Sequence, residues 1–91
     1  MIISAAMRAT VNGEENVFKI HRYGDFFLWM KQLHCDYDKS QVESGFIDWD
    51  MKQERFVSRA EAAKIAEECN QILPRMKKEF NPNCLYSEDI Y

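Results

Sequence analysis

The sequence has 91 residues, a length that fits one domain and excludes a second folded domain or a large multi-site enzyme. Hydrophobic residues make up 46% of the chain and aromatic residues 13%, which excludes a disordered tail. The net charge of −3 has the wrong sign for a general nucleic-acid binder, which needs a basic surface. We therefore predict a small globular domain over residues 1–91 with no nucleic-acid partner.

Residues 1–10 lack the basic segment and apolar run of a signal peptide, and no stretch approaches 18 apolar residues. The sequence therefore predicts a protein without a membrane partner that acts in the cytoplasm. Three cysteines, at positions 35, 69 and 84, are an odd number without a CxxC pair. We expect reduced thiols, no metal site and no cofactor.

The first predicted element is a strand, because apolar and more polar residues alternate along 3–11. Its apolar positions are Ile3, Ala5, Met7, Ala9 and Val11. Asn12-Gly13 then predicts a two-residue hairpin turn, since both residues tolerate positive φ. A return strand over 14–21 in that register pairs Met7 with Phe18 and Ala5 with Ile20, so their apolar side chains share one face.

A helix is predicted from about residue 25 to about residue 35, with Asp25 as its N-cap. Phe26, Trp29, Met30 and Leu33 recur at helical spacing and predict its buried stripe. Residues 36–44 follow as a polar loop.

A second hairpin is predicted from residues 46–49 and 54–57. That pairing places Asp48 opposite Arg55 and Ile47 opposite Phe56, which are favourable cross-strand pairs.

Ser58 and Glu61 have the spacing of a capping box, which predicts a second helix over 59–73 that ends before Pro74. The tail carries apolar anchors, which are Leu85, Tyr86, Ile90 and Tyr91. The predicted fold is α+β in the order ββαββα, with one antiparallel sheet, both helices on one face and a docked C-terminal tail.

The candidate binding residues lie at the two junctions between a hairpin and a helix. His21 and Arg22 end the second strand just before the first helix, where a guanidinium and free helix amides together favour an anion. Arg55 and Arg59 flank the second junction. A structural role is the alternative: His21 satisfies a local carbonyl and Arg22 faces water.

Arg59 stands at a helix N-terminus, where a cation opposes the helix dipole and needs compensation. A carboxylate of Asp48 or of the tail residues Glu88 and Asp89 is one predicted partner, and a bound anion is the other. The sequence has no GxSxG, P-loop, HExxH or GxGxxG motif, so nothing favours an enzyme.

The sequence also resembles a family of small tailed-bacteriophage proteins. The residues that carry the resemblance are Gly45-Phe46-Ile47-Asp48, Arg55-Phe56-Val57-x-Arg59-x-Glu61-Ala62, Ile65-Ala66, Gln71 and the ending Leu85-Tyr86-Ser87-Glu88-Asp89-Ile90-Tyr91. The resemblance implies a phage accessory protein that acts in the cytoplasm of an infected bacterium, and neither a capsid protein nor a replication enzyme.

Three hypotheses about function remain open at this point. The first is a stoichiometric binder of a small anionic, nucleotide-like ligand, held by His21, Arg22, Arg55 and Arg59, as in a protein that sequesters a host immune signal. The second is an inhibitor of a host defence or metabolic protein that acts through an aromatic surface. The third is a small nucleotide-processing enzyme that uses His21. A thin core and many aromatic residues also predict a homo-oligomer.

Overall fold

The computed structural model describes all 91 residues and has four strands and two helices. The strands are β1 (Ile2–Val11), β2 (Glu14–Ile20), β3 (Glu43–Asp50) and β4 (Gln53–Ser58). The helices are α1 (Tyr23–Gln32) and α2 (Arg59–Glu68), and short 3₁₀ turns lie at 39–41, 74–76 and 87–89. The element order and the α+β class are those predicted.

The four strands form one antiparallel sheet in the order β2-β1-β3-β4. Both hairpins have the predicted registers, with Met7 opposite Phe18 and Ile47 opposite Phe56. Alternate sheet residues and the buried faces of both helices form a single apolar core. Across the other face, Lys19 on edge strand β2 reaches Glu54 on edge strand β4 at 3.0 Å, so the sheet is strongly curled.

The start of β1 departs from simple alternation. The pairing of β1 with β3 shifts between Ile2 and Ser4, which is the signature of a bulge. The shift buries Ile2 and leaves Ile3 42% exposed, so the prediction that Ile3 faces the core is wrong. The carboxamide of Gln71 holds this end, because it accepts from Ile2 N (2.8 Å) and donates to Ile2 O (2.7 Å).

Helix α1 begins two residues earlier than predicted, with Arg22 at the N-cap position. Asp25 lies in the first turn instead, where its carboxylate accepts from Arg22 N at 3.2 Å. Phe26 and Met30 are buried as predicted. Trp29 and Leu33 are 40% and 67% exposed, so half of the predicted stripe does not face the core.

Helix α2 begins as predicted, because Ser58 Oγ accepts from Glu61 N at 3.1 Å. It ends at Glu68, five residues before the predicted end. Asn70 has φ +56°, a left-handed conformation that stops a helix, and Asn tolerates it. The predicted end at residue 73 was based on Pro74 and did not include the effect of Asn70.

The tail docks on the fold, as predicted. Leu85 is fully buried, and its N–H donates to Arg59 O at 3.0 Å. Asp89 O accepts from Leu73 N at 2.8 Å. These contacts bring the last seven residues to the starts of α1 and α2. No helix is long and apolar enough to cross a membrane.

Candidate ligand site at the helix starts

Side chains from the first residues of α1 and α2 contact each other. The first residue of α2, Arg59, places its guanidinium over the ring of the first residue of α1, Tyr23, with 4.2 Å between Arg59 Cζ and the ring centroid. The hydroxyl of Tyr23 donates to Gly45 O at 2.7 Å, which fixes the start of α1 against β3. The two helices begin at opposite edges of the sheet, and this side-chain contact links their first residues.

Arg59 also faces the tail. Its Cζ lies 5.4 Å from the ring centroid of Tyr86, and its Nε is buried without a hydrogen-bond acceptor. No ion pair joins Arg59 to Glu88 or Asp89, so the predicted salt bridge is wrong. The rings of Tyr23 and Tyr86 lie where the prediction placed carboxylates. Cation–π attraction to these rings offsets part of the free-energy cost of burying the Arg59 guanidinium.

His21 and Arg22 meet at the ring of Tyr91. The His21 and Tyr91 rings are stacked, with centroids 4.4 Å apart and an interplanar angle of 15°. Arg22 Cζ lies 5.2 Å from the same ring centroid, and Arg22 Nη2 donates to Tyr91 O at 2.8 Å. Arg22 Nη1 is buried and has no acceptor.

The hydroxyl of Tyr91 reaches the end of the ladder between β1 and β2. It accepts from Ala5 N at 2.9 Å and donates to Ile20 O at 3.4 Å. Ala5 and Ile20 are partners in the register, so the phenol bridges a main-chain donor and a main-chain acceptor of paired residues.

Arg55 belongs to a different group of charges. Its Nη2 lies 3.2 Å from Asp48 Oδ2 and its Nη1 lies 3.0 Å from Glu61 Oε1. The predicted pairing of Arg55 with Asp48 is therefore confirmed. The hydrogen bond to Glu61 is the main cause that raises the pKa of Arg55 above its usual range. Buried Asp48 also binds the Met1 ammonium at 2.7 Å, which raises the pKa of that ammonium above 8.0.

Arg55 differs from Arg22 and Arg59 in its charged partners. Arg55 has two carboxylate partners, whereas Arg22 and Arg59 lie within ion-pair distance of no aspartate or glutamate side chain. Each of the latter two also has one buried nitrogen without an acceptor. Burial raises the pKa of the Tyr23 phenol well above its ordinary 10.0, and the nearby Arg59 cation opposes that rise.

The predicted tail residues have structural positions around this cluster. Ser87 and Asp89 are buried and Glu88 is exposed. Asp89 Oδ2 accepts from Tyr86 N at 2.8 Å, which closes a tight turn between the two tail tyrosines. That turn directs Tyr86 toward Arg59 and Tyr91 toward Arg22.

The tail fills the space between these side chains. The fold has four surface pockets, and none is lined by His21, Arg22, Arg55 or Arg59. A ligand that sets a flat ring against these side chains therefore has to replace a tail tyrosine.

Three tyrosines of this cluster were missed as site residues. Tyr86 and Tyr91 were predicted only as apolar anchors, and Tyr23 had no predicted role. Their contacts with His21, Arg22 and Arg59 join segments that are far apart in sequence. The only available signal was Tyr23 beside the first junction and the two tyrosines of the tail.

A further exposed region lies on α1. Four large apolar side chains are between 40% and 67% exposed there, and they are Phe27, Leu28, Trp29 and Leu33. None of these four residues belongs to the arginine cluster.

All 91 residues match the model of one protein family, described as Phage T4 y16D protein. The chain belongs to this phage family. No curated protein and no solved structure gives a significant match. Membership in the Phage T4 y16D family confirms the phage origin that the sequence resemblance implied.

Proposed function

We propose that this member of the Phage T4 y16D family is a phage accessory protein that binds a small anionic, nucleotide-like ligand without catalysis. The observation that carries the proposal is the pair Arg22 and Arg59, two partly buried guanidiniums with neither an aspartate nor a glutamate partner. A bound anion supplies the missing acceptors. Sequestration of a host immune signal is the role that such binding would serve in an infected bacterium.

The neighbouring groups favour a phosphate attached to a flat ring. Guanidinium groups match phosphate oxygens in geometry and charge, and each arginine stands at the start of a helix, whose N-terminus adds positive potential beside it. His21, Tyr23, Tyr86 and Tyr91 supply aromatic faces beside the arginines. Stacking of a base on such a face contributes about 1–3 kcal/mol per base. Arg55 is outside this proposal, because two carboxylates already neutralise it.

Isothermal titration calorimetry with AMP and with inorganic pyrophosphate tests the proposal. Wild-type protein should bind both compounds, and the affinity should fall as salt is added. Arg22→Gln and Arg59→Gln should each weaken binding by about tenfold or more, since a charge-assisted hydrogen bond contributes roughly 1.5–3 kcal/mol.

Arg75→Gln is the matched control, because Arg75 is exposed and lies in the 3₁₀ turn at 74–76. It removes the same charge away from the site and should leave the affinity unchanged. If all three substitutions weakened binding equally, the affinity would depend on the net charge of the protein and not on Arg22 and Arg59. Absence of binding to wild-type protein at millimolar concentration would refute the proposal.

A further inference from the structure

We propose that the Tyr91 side chain is an internal occupant of a purine-nucleotide site, and that a purine base takes its place when ligand binds. This inference rests on the proposed function and specifies the ligand class and the subsite. It follows from the way in which the fold holds each part of Tyr91.

The groups that contact the ring of Tyr91 are ones that also bind the base of a nucleotide. The flat ring lies against His21, 4.4 Å between centroids, with the Arg22 guanidinium 5.2 Å from its centroid. Imidazole and guanidinium planes both stack on bases. The ring therefore occupies a position where a base would find aromatic and cationic neighbours.

The far edge of the ring is held by a donor and an acceptor. Ala5 N–H donates to the Tyr91 hydroxyl at 2.9 Å, and the hydroxyl donates to Ile20 O at 3.4 Å. The edge of adenine carries a ring nitrogen acceptor next to an exocyclic amino donor, which is the same pair of functions. A pyrophosphate has neither the flat ring nor this edge, so it uses the arginines alone.

The opposite end of Tyr91 lies at a cation. Arg22 Nη2 donates to Tyr91 O at 2.8 Å, and the buried Arg22 Nη1 has no acceptor. A phosphate at this end would take the place of Tyr91 O as the acceptor of Arg22 Nη2, and its further oxygens can accept from Nη1. Leu85 and Asp89 are fully or almost fully buried and anchor the tail, so the exchange that we propose moves only Ile90 and Tyr91.

Isothermal titration calorimetry can compare the binding of AMP and of pyrophosphate to wild type, Tyr91→Phe and Tyr91→Ala. Tyr91→Ala removes the ring that competes with the base. The affinity of this variant for AMP should therefore rise by about tenfold or more, because the state in which Tyr91 fills the site no longer forms. Its affinity for pyrophosphate should change much less. Tyr91→Phe keeps the ring and loses the hydroxyl bridge, so its affinity for AMP should be intermediate.

Hydrogen exchange on wild-type protein gives a second test that does not depend on a substitution. The amides of Ile90 and Tyr91 donate to Ser87 O at 3.4 and 3.2 Å. AMP should speed their exchange if it displaces the tail, and slower exchange would overturn the inference. Equal AMP affinity of wild type and Tyr91→Ala would also overturn it and leave the proposed function intact. Binding of neither compound to any variant would refute the proposed function itself.

Discussion

The guanidinium of Arg59 lies over the ring of Tyr23, with 4.2 Å between Arg59 Cζ and the ring centroid. This contact joins the first residues of the two helices, and Tyr23 in turn donates to Gly45 O on β3 at 2.7 Å. A cation at the start of α2 is therefore stabilised by an aromatic face and not by a carboxylate.

The Arg59 contact predicts a specific sensitivity to substitution. Arg59→Lys should lower the free energy of unfolding by about 0.5–2 kcal/mol, since lysine keeps the charge but lacks the flat group that lies on Tyr23. Urea unfolding measures this. Glu88→Gln is the control and should change stability by less than about 0.5 kcal/mol. If each variant lost the same stability and the double variant lost no more than either one, an Arg59–Glu88 ion pair would explain the result instead.

Tail docking predicts that the last residues contribute to stability. Leu85 is fully buried, so Leu85→Ala should cost about 2–5 kcal/mol. Deletion of residues 84–91 should lower the melting temperature by several degrees at least, at about 4–8 °C per kcal/mol for a domain of this size. The exposed Asn83 gives the control Asn83→Ala, which should melt with wild type. An unchanged melting temperature after the deletion would contradict docking.

The buried Tyr23 phenol predicts a loss of stability in alkali. Burial raises its pKa in the folded protein above the unfolded value of 10.0. Above pH 10 the unfolded chain loses a proton that the folded chain retains, so the free energy of unfolding falls as the pH rises further. Below pH 10 this contribution is fully present.

Tyr23→Phe isolates that effect. It loses the hydrogen bond to Gly45 O, at a cost of about 1 kcal/mol at neutral pH. Between about pH 9 and about pH 11 its stability should fall less steeply than that of wild type. Urea unfolding at both pH values measures the difference, because all other tyrosines are common to the two proteins. Parallel losses in both proteins would show that Tyr23 does not carry the effect.

The exposed apolar surface of α1 leads us to propose that the protein pairs with a second copy through this helix. Leu28 lies at its centre and is 51% exposed. A two-fold interface uses the same patch on both copies, which suits a small chain with a thin core. Light scattering should give a dimer mass, and Leu28→Glu should give a monomer. A monomer mass for wild type at high micromolar concentration would contradict this proposal.

The sequence predicted those parts of the fold that local chemistry determines. Asn12-Gly13 determined the first hairpin register, and alternation placed Met7 and Phe18 on the core face. The bulge that exposes Ile3 escaped prediction, because the pairing of β1 with β3 causes it. The left-handed Asn70 ended α2 early, since Asn accepts that conformation without any break in the apolar pattern.

The candidate site was predicted only in part. Local arguments identified Arg22 and Arg59, because each stands at a helix start. Their partners Tyr91 and Tyr86 come from the tail, and only the tertiary fold brings them there. Arg55 was grouped with these residues from its position in the chain, yet its partners on β3 and α2 neutralise it.

An NMR titration of the wild-type protein with AMP tests the proposed ligand site most directly, because it reports both binding and location. Binding at this site should give saturable shifts that are largest at the amides of Ala5, Arg22 and Arg59, with loss of the contact between the His21 and Tyr91 rings. Absence of shifts at millimolar AMP, or shifts confined to α1 around Leu28, would contradict it.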